Sequence, residues 1–182
     1  MTEADARSDE ALVEAANRGD VAAFEALYRR YRDWVVRLAY RFTGNRDDAL
    51  DVLQETFTYL LSKFPGFRLS ARMTTFLYQV VKNLSLTSVR KRSRYTSAEE
   101  TLREAAVHPP ATGRATRDEL AAAVAVLPEA QREVLLMRFV DDMSLAEIAQ
   151  ALSIPLGTVK SRLHNALQTL RSDERTREYF LG

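Results

Sequence analysis

Between Thr158 and Gln168 the polar residues Thr158, Lys160, Ser161, Arg162, His164, Asn165 and Gln168 recur among apolar Val159, Leu163, Ala166 and Leu167. On one helix they would make a polar face without an acid, suited to meeting a polyanion. Lys and Arg can donate to guanine O6 and N7, Asn and Gln can pair with adenine, and Ser and Thr can serve phosphate or base. A second concentration lies upstream. Residues 56–98 hold no acid and eight bases: Lys63, Arg68, Arg72, Lys82, Arg90, Lys91, Arg92 and Arg94. The formal net charge is only +1, because residues 1–55 carry twelve acids against eight bases. Local positive fields attract polyanions whatever the total charge. Any one of these arginines reads as part of a solvated face, but forty-three consecutive residues without an acid point to a nucleic-acid surface.

The rest of the inventory excludes much other chemistry. The 182 residues contain no cysteine, which removes disulfides, thiolate zinc sites and cysteine nucleophiles together. His108 and His164 are the only histidines and stand 56 positions apart, so no histidine-based metal site or triad is expected. No acid–base constellation can be assembled either, and the chain reads as a non-enzyme without cofactor or metal. Its opening, MTEADARSDE, is acidic and polar, unlike a secretory leader. The longest apolar run, Leu120 to Leu127, is eight residues, against the roughly 20 a membrane span needs. The expectation is a soluble, cytoplasmic protein with no membrane insertion.

The elements that must carry these residues are helical almost throughout, and the predicted fold class is all-α. Phe24, Leu27, Tyr28, Tyr31, Trp34, Val35, Leu38 and Phe42 form one helical stripe, ended by Gly44-Asn45. A second helix opens near Arg46-Asp47-Asp48, whose carboxylates suit the positive end of the helix dipole. Its stripe is Ala49, Leu50, Leu53, Phe57, Leu60, Leu61 and Phe64, stopped by Pro65-Gly66. Phe67 to Met73 reads as a loop, and a third helix runs from about Thr74 to Arg92, burying Leu77, Val80, Val81, Leu84 and Val89. From Arg94 to Thr116 the pattern lapses into Ser, Thr, Ala, Pro109-Pro110 and Gly113, the composition of a flexible tether. Fully extended, such a segment reaches about 75–80 Å. Two small helical domains follow, residues 1–94 and 117–182, with 95–116 as linker.

In the second domain Arg117 to Leu127 reads as one helix, and Pro128 takes the N1 position of the next, which turns Val134, Leu135, Met137 and Phe139 inward. Ser144 and Glu147 spell a capping box for a helix over Leu145–Leu152. After Ser153-Ile154-Pro155 a longer helix starts at Leu156-Gly157-Thr158 and runs to about Arg171. Two helices joined by a short turn, the second one basic, is the helix-turn-helix pattern, whose second helix enters the major groove. By itself it leaves open a helical hairpin packed on something else, and many kinds of regulator.

DALDVLQETFTYLLSKF and TTFLYQVVKNLSL with the tail RKRSR resemble the core domain of extracytoplasmic-function (ECF) sigma factors, the group IV bacterial RNA polymerase sigma factors of the sigma-70 family. LPEAQREVLLMRFVDDMSLAEIAQALSIPLGTVKSRLHNAL resembles their −35-binding domain. The resemblance spans roughly residues 10–94 and 117–172, in the family's order and with no room for the extra domains of housekeeping sigma factors. It implies an alternative sigma factor with region 2 in residues 1–94 and region 4 in residues 117–182. Leu50, Asp51, Gln54 and Glu55 would dock on core RNA polymerase. Arg68, Arg72, Phe76, Tyr78, Lys82, Asn83, Arg90, Lys91 and Arg92 would melt and read single-stranded −10 promoter DNA, Asn83 near the pocket for a flipped-out base. Thr158, Lys160, Ser161, Arg162, His164 and Asn165 would bind the −35 duplex. An anti-sigma factor is a further expected partner, and SDERTREYFLG is either a loose tail or a short helix that such a partner or the protein itself covers.

Four positions depart from the family pattern. Phe76 stands where many relatives have Trp, Thr87 where Asp is frequent, Ser153 at a turn where Gly is common, and Asn165 where Arg is usual. The last bears on the −35 sequence, since Arg reads guanine and Asn prefers adenine. Two rival readings stay open at this level: a stand-alone helix-turn-helix regulator, and a sigma-like decoy that titrates an anti-sigma protein.

Overall fold

A computed structural model describes residues 5–95 and 124–173, which form seven α-helices and no strand. The chain divides into two units, Met1–Val107 and His108–Gly182. The tether over 95–116, most of the Arg117–Leu127 helix and the C-terminal tail lie outside the described residues.

Unit 1 holds α1 (Asp9–Asn17), α2 (Val21–Thr43), α3 (Arg46–Leu61) and α4 (Met73–Tyr95). Each start and stop has a local cause. Ser8 caps α1, Asp20 caps α2 through Ala23 N–H, and Asn45 caps α3 by accepting from Asp47 N (2.8 Å) and Asp48 N (3.1 Å). Gly44 ends α2 at φ 64°, the left-handed conformation that glycine adopts without a Cβ penalty. The Asp20 carboxyl lies below its ordinary pKa because it accepts from Ala23 N–H and then from Arg7. Its contribution to stability is therefore present above the normal carboxylate range and lost as pH falls through that lowered value.

Leu12, Leu27, Val35, Leu38, Ala39, Ala49, Val52, Leu60, Met73, Leu77 and Val81 make the core where α2, α3 and α4 meet, with α1 laid on α2. α1 is fastened from the side. Arg30 on α2 bonds Asp9 (2.6 Å) and the carbonyls of Asp5 and Arg7 (2.8 Å each), and the Tyr31 hydroxyl donates to Asp9. Burial first, and the bond to Asp9 second, hold the Tyr31 hydroxyl above its ordinary pKa, so it remains a donor.

Unit 2 holds α5 (Glu129–Phe139), α6 (Leu145–Leu152) and α7 (Leu156–Ser172) around Leu127, Val134, Leu135, Met137, Met143, Ile148, Val159, Ala166 and Leu170. The capping box forms as spelled: Ser144 N donates to Glu147 (2.7 Å) and Glu147 N to Ser144 Oγ (3.2 Å). Pro128 stands one place earlier than its N1 assignment, as the N-cap at φ −51°, ψ 140°. Arg132 gathers the carbonyls of Val124 (3.1 Å), Ala125 and Leu127 (2.9 Å), fastening the segment that precedes α5.

The apolar stripes need three corrections. Leu50 and Leu61 are 44% and 54% exposed, because α3 turns Ala49, Val52, Thr56, Phe57 and Leu60 inward instead. Phe139 is 62% exposed, being the last residue of α5, beside an equally open Val140.

Ser153 ends α6 at φ 55°, ψ 42°, as its place in the turn demands. A Cβ in this conformation costs about 1–2 kcal/mol, and the side chain is exposed. Ser153→Gly should therefore raise the stability of the helix-turn-helix by about 1 kcal/mol, read as a higher midpoint in thermal unfolding of the full chain.

Candidate nucleic-acid interface

Three surfaces gather the residues singled out by sequence. On α3 the outward residues Leu50, Asp51, Gln54, Glu55 and Thr58 lie beside one another at helical spacing, with Leu61 completing the row. Two grooves flank this ridge. One, toward α4, is bordered by Asp51, Gln54, Glu55, Tyr59 and Leu84. The other, toward α2, is apolar and is bordered by Phe24, Tyr28, Leu53, Phe57 and Leu61. The ridge is thus an acidic edge against an oily trough, a form suited to a partner with both basic and apolar side chains. Sequence reading found Leu50 and the three polar residues of the ridge and missed the trough. Its signal was Leu61, eleven positions after Leu50 and therefore on the same face.

The second surface is the loop 66–72 with the outer side of α4. Arg68 and Arg72 are exposed. Phe67 packs between Phe64 (ring centroids 5.5 Å) and Phe76 (5.0 Å), and Phe76 also stacks at 6.4 Å on Tyr59, over which Lys63 sits 4.4 Å from the ring centre. Phe76 is therefore half-buried, one face engaged by its neighbours. From it an outward stripe runs along α4 through Gln79, Asn83, Leu86, Arg90 and Arg94, spaced three or four apart. The 18 steps from Phe76 to Arg94 span about 27 Å at 1.5 Å per residue. No acid interrupts the stripe. Lys82 and Lys91 border it, Lys82 half-buried and Lys91 exposed. Gln79 and Leu86 were not among the sequence-derived candidates, although their spacing from Phe76, Asn83 and Arg90 places them on the stripe.

Two sequence-assigned residues belong elsewhere. Tyr78 is fully buried, its ring 6.1 Å from that of Phe42, and offers no face to a base. Two positions after Phe76, it falls on the inner side of α4 with Leu77 and Val81. Arg92 is fourteen positions after Tyr78 and lies on that same inner side. It donates to the Asp48 carboxylate and to the Thr43 carbonyl (3.0 Å), tying the end of α4 to the α2–α3 corner. One side chain that sequence reading missed entirely sits against the loop. Asn17, the last residue of α1, donates to Phe67 O (2.8 Å) and accepts from Gly66 N (2.7 Å) and Phe67 N (3.0 Å).

The third surface is α7. Lys160, Ser161, His164, Asn165 and Gln168 are exposed, while Thr158 and Arg162 are half-buried at its edges. Val159, Ala166 and Leu170 hold the opposite side in the core. The first turn of α7 carries no acid, so the positive end of its dipole is uncompensated by its own residues. Ser161 Oγ donates back to Gly157 O (3.0 Å), leaving its lone pairs outward. All six expected residues come together on this one helix. No helix among the described residues is long and apolar enough to cross a membrane.

Comparison with known proteins gives the family of the chain. A family model described as sigma-70 region 2 matches residues 27–95, and one described as sigma-70, region 4 matches residues 117–170. The chain is 29% identical over 177 residues to the ECF RNA polymerase sigma factor SigW of Bacillus subtilis, covering 90% of this chain and 95% of that one. It is 32% identical over 160 residues to an RNA polymerase sigma-E factor of Streptomyces avermitilis, covering 88% and 89%. Its fold resembles that of the sigma factor RpoE of Bartonella quintana, solved with the anti-sigma factor NepR. There the TM-score is 0.65 at 23% identity, over 83% of this chain and 96% of that one.

Arg90 and Arg92 of α4 should separate by assay. Arg92→Ala should lower stability by about 1–3 kcal/mol, since it removes charge-assisted bonds. Arg90→Ala should leave the unfolding midpoint unchanged and lower the salt slope of DNA binding by about one. Thermal unfolding and salt titrations of the two variants check both.

Proposed function

The chain belongs to the ECF sigma factors of the sigma-70 family, alternative sigma factors of transcription initiation, and from that premise we propose how its surfaces divide the work. Residues 1–94 form the unit that binds core polymerase and opens the promoter, 95–116 the linker, and 117–182 the unit that holds the −35 duplex. The α3 ridge of Leu50, Asp51, Gln54 and Glu55 docks on core RNA polymerase. The loop 66–72 and the outward stripe of α4 receive the −10 element as single strand. α7 lies in the major groove of the −35 element, with Lys160, Ser161, His164 and Asn165 toward base edges and Thr158 and Arg162 toward phosphates.

The observation that carries this division is the acid-free segment itself. On folding, Gln79, Asn83, Arg90 and Arg94 line one continuous side of α4 beside the exposed loop arginines. Strand separation without nucleotide hydrolysis has to be driven by captured bases, because unstacking costs a few kcal/mol that contacts must return. A half-exposed aromatic ring, an exposed amide at Asn83 and a row of cations supply stacking, hydrogen bonding and phosphate contact in that order along the helix. No catalytic role is assigned to any residue. The place of action is the cytoplasm, with core polymerase and promoter DNA. An anti-sigma factor is the third partner, as it is for the Bartonella protein.

Run-off transcription with purified core polymerase on a promoter library tests the division. Wild type should produce defined starts, and the double variant Asp51→Ala/Glu55→Ala should bind core about 10–100-fold more weakly while retaining −35 duplex binding. A wild-type protein that captures duplex DNA without binding core would sink the proposal in favour of a stand-alone regulator.

A further inference from the structure

The loop that carries Arg68 and Arg72 has no regular secondary structure of its own, yet both its ends are pinned. At the far end, Thr75 N and Phe76 N donate to Arg72 O at 3.0 and 3.3 Å, the first bonds of α4. At the near end, the backbone takes no helical bond, and one side chain serves three of its polar groups. Asn17 presents its amide edge to Gly66 and Phe67 and satisfies two N–H donors and one carbonyl acceptor at 2.7–3.0 Å. Gly66 lies at φ +104° with nothing near the position of a Cβ, so its conformation is set by the backbone bonds and not by packing. Phe67 is then wedged between two rings. Only residues 68–71 are left between the two anchors.

Asn17 is itself held in place. It ends α1, whose Leu12, Val13 and Ala15 are buried, and the next turns are closed by Arg18 N and Asp20 N on Ala15 O and by Gly19 N on Ala16 O. From the other end, Asp9 is gripped by Arg30 and Tyr31. The path from α2 through α1 to the loop is therefore made of fixed elements. From this geometry we infer that Asn17 is a positioning residue for promoter reading, fixing the loop 66–72 in the conformation that receives −10 bases. It lies 49 residues before Gly66 and outside every segment assigned to DNA. The inference rests on the assignment of the loop to the −10 element. Its energetic logic is preorganisation: a loop ordered before it meets DNA does not spend contact energy on becoming ordered. α1 thereby belongs to the DNA-reading apparatus, though its exposed face meets no nucleic acid in this scheme.

The test uses holoenzyme assembled from the full chain and two promoters with the same −35 element. One keeps the −10 sequence recovered from the library, and the other has it substituted. Each is supplied both as duplex and as a template pre-opened by mismatches across −10. The readout is the ratio of transcripts from the two promoters, normalised to core-bound sigma. A merely structural role would lower both transcripts together and leave that ratio alone. Asn17→Ala should lower the ratio by about tenfold on duplex and pre-opened templates alike, with core and −35 binding unchanged. Asn17→Asp keeps the oxygen that accepts from Gly66 and Phe67 but sets a second acceptor oxygen against Phe67 O in place of the donor, so it too should lower the ratio.

An unchanged ratio in Asn17→Ala overturns the inference. If that variant does not fold, Asn17→Asp decides in its place: a lowered ratio supports the role and an unaltered one refutes it. Loss of core binding in both variants would mark Asn17 as structural and also overturn it. A wild-type holoenzyme that shows no −10 preference would instead defeat the assignment of the loop, and the role of Asn17 with it.

Discussion

Unit 1 is organised by the burial of one side of α4. Met73, Leu77, Tyr78 and Val81 are each fully buried against the other helices, and together they remove several large side chains from water at about 1.5–3 kcal/mol each. Because a helix repeats every 3.6 residues, fixing that inner side fixes the outer one as well. Phe76, Asn83, Arg90 and Arg94 are thus aimed outward by apolar residues that never meet a ligand. A large polar gap in the inner stripe would turn the outer one away from its direction. The proposed binding surface is, in this sense, the reverse side of the core.

Unit 2 solves the same problem with shorter pieces. α6 has only eight residues, below the length at which an isolated helix holds in water. It persists through its capping box, through Ile148 and Ala151 in the core, and through a tight turn into α7 that demands a left-handed residue. α7 is then presented with Val159, Ala166 and Leu170 inward and its cationic residues outward or at the edge. The two units share a strategy of setting a helix by one buried side and leaving the opposite side polar and free of acids.

Much of this was legible in sequence. Gly44, Asp47-Asp48, Ser144 with Glu147, and Pro155 mark helix ends by local chemistry that tertiary context did not override. The α7 site was legible for the same reason, since all its residues lie on one helix and period alone sorts them. The misassignments arose where a residue's type and its phase on the helix disagreed. Tyr78 is aromatic and Arg92 is cationic, which suggests DNA, but their phase is that of the inner side of α4. Leu50, Leu61 and Phe139 are apolar, which suggests core, but they stand at positions that no other helix among the described residues covers. Asn17 could not have been found this way. Its role lies in three hydrogen bonds to backbone groups 49 and 50 residues away, and backbone groups carry no sequence signature.

The two arginine fastenings, Arg92 in unit 1 and Arg132 in unit 2, have a mechanical consequence. They stand at the sites where the chain leaves the first unit and enters the second. Each grips carbonyl oxygens of a neighbouring segment, with Asp48 added in unit 1. A pull on the end of α4 would meet the Arg92 bonds before the buried Leu77, Tyr78 and Val81, and a pull on the segment before α5 would be shared between the Arg132 bonds and the buried Leu127. Tension would be taken up at the joints, and α4 and α7 would each keep their orientation within their own unit under load.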